Sequence, residues 1–323
     1  MIKEQKILIT GACGQLGREV IMALKAKYGK KALVATDKLE VIKAKIVGVK
    51  YLRVDVTSKA QLQFVIQEEK ITQVYHLAAM LSASGEKDPL MAWQVNMDGL
   101  LNVLELSARF KVEKVFWPSS IAVFGPETPK VNTSQHAFTI PTTVYGISKL
   151  SGEYWCRYYF EKYGVDVRSL RYPGLISYKT LPGGGTTDYA VDIFYKVKAG
   201  QAYVCFLSAD TPLPMMYMDD AVRATLELMD VPVEKISMRS AYNLSALSFT
   251  PAELASEIKK IDPEFRITYA PDFRQAIAES WPAMINDRLA REDWGWKHRF
   301  GLREIVAEMM ENVIVEQGAV ASN

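Results

Sequence analysis

The sequence predicts an α/β fold in which a doubly wound parallel sheet is followed by a smaller C-terminal lobe. Three observations predict it. Short β-rich runs alternate with helical patterns up to about residue 174, a glycine-rich turn joins the first run to the first helix, and the rhythm weakens afterwards. Such alternation builds parallel sheet, because strand–helix–strand crossovers are right-handed. A chain of 323 residues, 49% apolar and 24% charged, can bury the core this requires.

The runs are Ile7–Thr10, Ala32–Asp37, Val49–Asp55, Gln73–Leu77, Glu113–Trp117 and Asp166–Arg171. Their Val, Ile and Leu content suits a sheet covered on both faces. Helical patterns lie at 15–28, 58–69, 88–111 and 143–163. Beyond them, Gly183–Gly185 and several prolines mark a loop, and helices return near 187–199 and 217–230. Pro251 opens another helix, Arg266–Ala270 reads as a strand, and 301–316 reads as an amphipathic helix. The expected division is 1–174 as a dinucleotide-binding domain, and 175–323 mainly as a substrate-binding lobe with segments returning to the main domain.

Bulk properties exclude some functions. A net charge of +2 gives no field for nucleic acid or a membrane surface. No apolar run is long enough to span a bilayer. The first strand begins so early that no leader is expected in this chain. Cys13, Cys156 and Cys205 are too few and odd in number for a disulfide framework. A reducing compartment is expected, cytoplasmic, with a processed organellar form left open. Cys13 has two readings: a thiol activated by a helix start, or a small residue filling a turn. No cluster of metal-ligand type is expected.

Gly11-Ala-Cys13-Gly14-Gln15-Leu16-Gly17 follows a strand and opens a helix. The first glycine permits the tight turn, the second lets backbone approach a pyrophosphate, and the third lets helix pack on strand. This is a Rossmann-type arrangement. Free N–H groups at the helix start hold phosphate. Asp37 ends the second strand, where its carboxylate accepts ribose hydroxyls and repels a 2′-phosphate. This favours NAD over NADP, and Lys38 softens the preference. Asp55, followed by Val56, can bond adenine or cap the next helix. Leu77, Ala78 and Ala79 allow backbone to lie against the cofactor. His76 reads as a core histidine, since no ligand partners cluster with it.

Tyr145-Gly-Ile-Ser-Lys149 puts a phenol and an ammonium on one helix face. A free phenol ionises at about 10, too high for a good base, and a nearby cation favours the phenolate. Oxidising an alcohol needs a base for its proton. Ser119 and Ser120 follow the fifth strand, at the sheet end where ligands bind, and a hydroxyl there can hold the substrate oxygen. Turn chemistry is the plainer reading of those serines.

Together the strings Gly11-x-x-Gly14-x-x-Gly17, Asp55-Val56, His76–Ala79, Asn96-x-x-Gly99, Ser119-Ser120 before Val123-Phe-Gly125, Tyr145-x-x-x-Lys149 and Arg171–Gly174 resemble the extended short-chain dehydrogenase/reductase family. That family includes the nucleotide-sugar epimerases. The resemblance implies Ser120 as catalytic hydroxyl, Tyr145 as acid/base and Lys149 as ribose-binding lysine. It implies that Asn96 holds the helix and a relay water, and that Tyr172 to Ile176 lie along the nicotinamide. Phe124 departs from the tyrosine of many members.

Leu81–Asp88, Phe124–Pro129, Ser177–Ala190, Pro214–Met218 and Ser280–Pro282 are similar to the L-threonine dehydrogenase branch of that family. This implies NAD-dependent oxidation of the threonine β-hydroxyl to 2-amino-3-ketobutyrate. Ser82, Ser119, Ser120, Tyr145 and Thr186 would offer substrate hydroxyls, and Gly184 and Gly185 backbone donors. Trp281 would act as a lid or as a packing anchor. A nucleotide-sugar epimerase or dehydratase is the alternative, with Arg266, Arg274, Arg288 and Arg291 available for a diphosphate. The short C-terminal lobe favours a small substrate. A non-catalytic NAD sensor is a third reading, and it leaves Tyr145, Lys149 and Ser120 without purpose. Excess apolar residues at Trp93, Leu100, Leu104, Tyr154, Trp155 and Tyr158 fit the family's pairing of two helices across a twofold axis, hence a homodimer.

Overall fold

The computed structural model describes residues 5–179, 181 and 183–315. Thr180 and Pro182, inside one expected segment, and Glu316, the last residue of another, lie outside them. The first half runs β1 (Ile7–Thr10), α1 (Gln15–Tyr28), β2 (Leu33–Asp37), α2 (Val41–Ala44), β3 (Lys50–Arg53), α3 (Lys59–Glu68) and β4 (Gln73–His76). It continues through α4 (Ser82–Gly85), α5 (Pro89–Trp93), a π-helical segment (Gln94–Asp98), α6 (Gly99–Phe110), β5 (Lys114–Phe116), β6 (Ser119–Ser120), α7 (Val144–Tyr163) and β7 (Val167–Arg168). The main sheet has six strands, all parallel, in the order β3-β2-β1-β4-β5-β7. Chain order reverses between β1 and β4, which makes the crevice beyond their C-terminal ends the binding position.

Strand alternation covers both faces. Ile7 and Ile9 join one buried cluster with Val20 and Leu24 of α1. Leu8, between them, joins the opposite cluster with Leu62, Leu100 and Leu104.

The second half runs β8 (Leu170–Tyr172), β9 (Gly174–Ile176), α8 (Tyr189–Lys198), β10 (Tyr203–Cys205), β11 (Leu213–Tyr217), α9 (Met218–Asp230), β12 (Tyr242–Asn243), β13 (Leu247–Phe249), α10 (Pro251–Lys259), β14 (Ile267–Tyr269), α11 (Phe273–Ser280), α12 (Arg288–Trp294) and α13 (Leu302–Asn312). Its small sheets are β10-β14, β13-β11-β9 and β12-β8-β6. Segments return to the first half: α9 packs on α1, and β12 pairs with β8. Thr250 and Glu253 form a capping box at α10, with Pro251 in the first turn.

Two expected elements differ. The run Asp166–Arg171 is two strands. Trp117 N still reaches Arg168 O at 3.0 Å, but Pro118 has no N–H with which to continue the ladder. The chain therefore switches sheets, and β8 pairs with β6 instead. The helix expected over 88–111 is broken by the π segment, which changes its phase. Leu100 and Leu104 are consequently fully buried in the chain's own core and offer nothing to a partner, while Trp93 is 40% exposed.

Candidate active site

The glycine loop after β1 is held by close contacts. Gly11 has φ +66°, and a Cβ there would lie 2.5 Å from Ala78 N. A Cβ at Gly17 would lie 2.3 Å from Gly11 O. Gly14 precedes α1 and gives it no side-chain cap, so the first-turn N–H groups are left for a ligand. Gly11, Cys13, Gly14, Gln15, Leu16, Gly17, Lys38, Leu77 and Ala79 line a cavity of about 650 Å³. A second cavity of about 520 Å³ shares Gly11, Gly14, Lys38, Leu77 and Ala79 with it, and adds Asp37, Asp55, Val56 and Ala78. Asp37 is oriented by Cys13 N at 3.0 Å. Asp55 accepts from Thr57 N at 2.9 Å and Thr57 Oγ1 at 2.8 Å, so it shapes the turn before α3 and does not cap it. Burial, then the Asp37 charge, push the Cys13 thiol up, opposite to the activation that a helix start would give.

Tyr145 stands in the first turn of α7. Thr143 Oγ1 accepts from Gly146 N at 3.0 Å, and Glu86 Oε1 accepts from Val144 N at 2.8 Å, so two side chains fix that helix end. Tyr145 shares a side-chain hydrogen bond with Ser120, and both line the larger cavity. Lys149, one turn on, donates to Pro118 O at 2.7 Å. Its Nζ lies 4.6 Å from the Trp117 ring centre and 5.5 Å from that of Tyr145. The expected lowering of the phenol by the lysine does not dominate. Burial pushes Tyr145 up to about 12, against the Ser120 hydrogen bond. Burial also brings Lys149 down to about 7, against the charges of Cys156 and Glu153. Neither charged form is well solvated behind Trp117. His76 is a core histidine. It bonds Thr10 Oγ1 at 2.7 Å, and burial and the Lys149 cation hold it down to about 3.

Asn96, Glu153 and Arg171 work from behind the cavity wall. Asn96 does not line the cavity. Its amide accepts from Met80 N at 2.8 Å and donates to Met80 O and Ser148 Oγ, each at 3.1 Å. Ser119 lines the cavity, but its hydroxyl donates to Glu153 Oε1 at 2.6 Å, which removes it as a substrate donor. Glu153 is paired with Arg171 through two bonds of 2.8 and 2.7 Å. Sequence reading missed this buried pair. Its one local signal is that Glu153 falls four residues after Lys149, on the same helix face.

Ser82, Thr186 and Trp281 are all buried and all line the cavity. Ser82 Oγ lies 3.1 Å from Thr186 Oγ1. The N–H groups of Gly184 and Gly185 are not free for a substrate. Both donate to Asp188 Oδ2, at 2.9 and 2.8 Å, because a carboxylate three or four residues on closes the loop. Trp281 is 6% exposed and belongs to the second-half core as well as the cavity wall, so the lid and anchor readings merge. Tyr172, Gly174 and Leu175 line the cavity, whereas Ile176 is fully buried against Tyr189 and Phe194 in the core behind it. Met80, Leu81, Ser84, Thr187 and Asp188 also line the site and are not among the expected site residues.

The model of the NAD dependent epimerase/dehydratase family matches residues 7–245. The chain belongs to that family. It is 44% identical over 308 residues to the mitochondrial L-threonine 3-dehydrogenase of Bos taurus, covering 95% of this chain and 82% of the relative. The holo form of a GalE-like L-threonine dehydrogenase from Cupriavidus necator is 54% identical, with a TM-score of 0.94, covering 96% of this chain and 100% of that one. A monomeric L-threonine 3-dehydrogenase from a metagenome is 47% identical, with a TM-score of 0.92, covering 95% and 98%.

The family's dinucleotide fits the chain's own groups. The glycine contacts leave room only for backbone, and Gln15 Nε2 is buried without a hydrogen-bond partner among the described residues, a donor left for phosphate. Asp37 lines the second cavity, and a carboxylate acceptor there suits ribose hydroxyls. Among the described residues no three His, Cys, Asp or Glu side chains come together as a metal site, and no helix is long and apolar enough to cross a membrane.

Proposed function

We propose that the chain oxidises the β-hydroxyl of L-threonine to the ketone of 2-amino-3-ketobutyrate in an NAD-dependent reaction, with Tyr145 as acid/base. The observation that carries this reading is the Tyr145–Ser120 hydroxyl pair, set where the dinucleotide cleft meets the pocket end closed by Ser82, Thr186 and Trp281. Full-length relatives named as threonine dehydrogenases support it.

Bound NAD supplies the hydride acceptor. Ser120 holds the substrate oxygen, and Tyr145 takes the hydroxyl proton as the C–H electron pair leaves. Lys149 holds a ribose hydroxyl from the floor of the cleft. Asn96 keeps Met80, and so the cavity wall, in place. Ser82 and Thr186 spend one proton on each other and keep the other for the substrate. The division near residue 174 separates the part that binds NAD from the part that mainly encloses the substrate. A reducing compartment such as the cytoplasm suits the free thiols of Cys13, Cys156 and Cys205.

NADH absorbance with L-threonine, UDP-glucose and UDP-galactose as separate substrates tests the reading. NADH is expected with threonine alone. Silence with threonine, beside turnover of a sugar nucleotide, overturns it in favour of an epimerase or dehydratase.

We also infer a homodimer joined through the α5–α6 segment and α7, which pack together. Trp93, Tyr154, Trp155 and Tyr158 are 40%, 62%, 39% and 42% exposed on these elements, an aromatic group that a second copy would cover. Light scattering at micromolar concentration is expected to give twice the chain mass. A single-chain mass, the state named for the metagenomic relative, sinks the inference.

A further inference from the structure

Lys130 has no role in the reaction as described so far. It lies on the loop after β6, and its Nζ is surrounded by carbonyl oxygens: Ser280 O at 2.8 Å, Glu279 O at 2.9 Å, Trp281 O at 3.3 Å and Gly125 O at 3.4 Å. Three of these are consecutive, at the C-terminal end of α11. Helix ends leave carbonyls unpaired, and here Pro282 prevents the chain from supplying another N–H. A lysine is suited to the place, since its ammonium donates three hydrogen bonds and meets the negative end of the helix. Among the described residues it forms no salt bridge, and burial pushes its pKa down.

The backbone reinforces this contact. Lys130 O accepts from Ala283 N at 2.8 Å and from Met284 N at 3.0 Å, so both ends of one residue grip the turn that carries Trp281. The indole on that turn lines the substrate end of the cavity.

We propose that Lys130 is a positioning residue that fixes Trp281 as a rigid wall, and so restricts the site to small alcohols. The wall works because a held aromatic cannot yield to a longer substrate chain. This rests on the threonine reading above, and two readouts keep the two apart.

The first readout is the ratio of kcat/KM for β-phenylserine to that for L-threonine. Lys130→Met should raise it about ten-fold or more, mainly through the KM values, and Lys130→Arg should restore the wild-type ratio. The second is acrylamide quenching of tryptophan fluorescence, which needs no turnover. Lys130→Met should make one further tryptophan quenchable, and the gain should vanish in a Trp281→Phe background. An unchanged quenchable fraction, or equal loss of both substrates at a constant ratio, overturns the proposal. A gain in quenching without a change in ratio overturns the specificity role. If Lys130→Met does not fold, Lys130→Gln, which keeps a donor, is read by the same two measurements. Absence of threonine oxidation in the wild type would refute the functional reading alone, since quenching still decides the placement of Trp281.

Discussion

Tyr145→Phe lowers kcat/KM for threonine by about 10³-fold while NAD affinity, read by NADH fluorescence, stays at the wild-type value. The substitution removes one oxygen from the first turn of α7 and leaves Thr143, Glu86 and Lys149 in place. The pH profile carries the same information. The acid/base must be ionised to accept the alcohol proton, and burial holds Tyr145 up to about 12 in the free site. The rate of oxidation should therefore climb with pH through the neutral range, in proportion to the small phenolate fraction. Stopping the climb early would require the pyridinium charge of the bound cofactor and the Lys149 cation to bring that pKa down. Retention of more than about a tenth of the activity in Tyr145→Phe, or a rate that falls from neutral to alkaline pH, removes the tyrosine from the mechanism.

Gly146→Ala is expected to damage stability and catalysis together. A Cβ there would lie 2.1 Å from Ala122 O and 2.7 Å from Pro141 Cβ, and one of those atoms is backbone. The start of α7 must move outward, which costs about 1–3 kcal/mol in a packed interior. It must also carry Tyr145 away from Ser120, and a displacement of this kind costs about 10²-fold in rate. The paired measurement is a thermal unfolding midpoint and a kcat. A wild-type value for both would mean that the contact with Ala122 relaxes elsewhere, and that the helix start does not set the geometry of Tyr145.

What could be read from sequence was what is local. The glycine turn, Asp37, Ser120 and the Tyr145–Lys149 spacing depend on backbone stretches of a few residues, and the structure gathers them around one cleft. What escaped depends on contacts across the chain. Ser119 reads as a substrate hydroxyl until Glu153, 34 residues on, accepts its hydrogen bond. Gly184 and Gly185 read as open donors until Asp188 folds back on them. Lys130 and Glu279 are 149 residues apart, and nothing near either announces the other. Ile176 reads as a cofactor contact along with its neighbours, yet strand alternation turns it inward while Leu175 lines the cavity. The ionisation of Tyr145 is non-local in the same manner, since a cation one turn away is visible in sequence and the burial opposing it is not.

The π segment Gln94–Asp98 acts as a gear change within one rod. Residues 93, 100 and 104 would share a stripe on a uniform α-helix, being seven and eleven positions apart. The wider turn rotates everything after it, so the rod shows its tryptophan to solvent at one end and its leucines to the sheet at the other. The same widening sets Asn96 inward toward Met80. One continuous helical run thus faces two directions without an intervening loop, and the amino acid at the gear change is the one that braces the cleft wall.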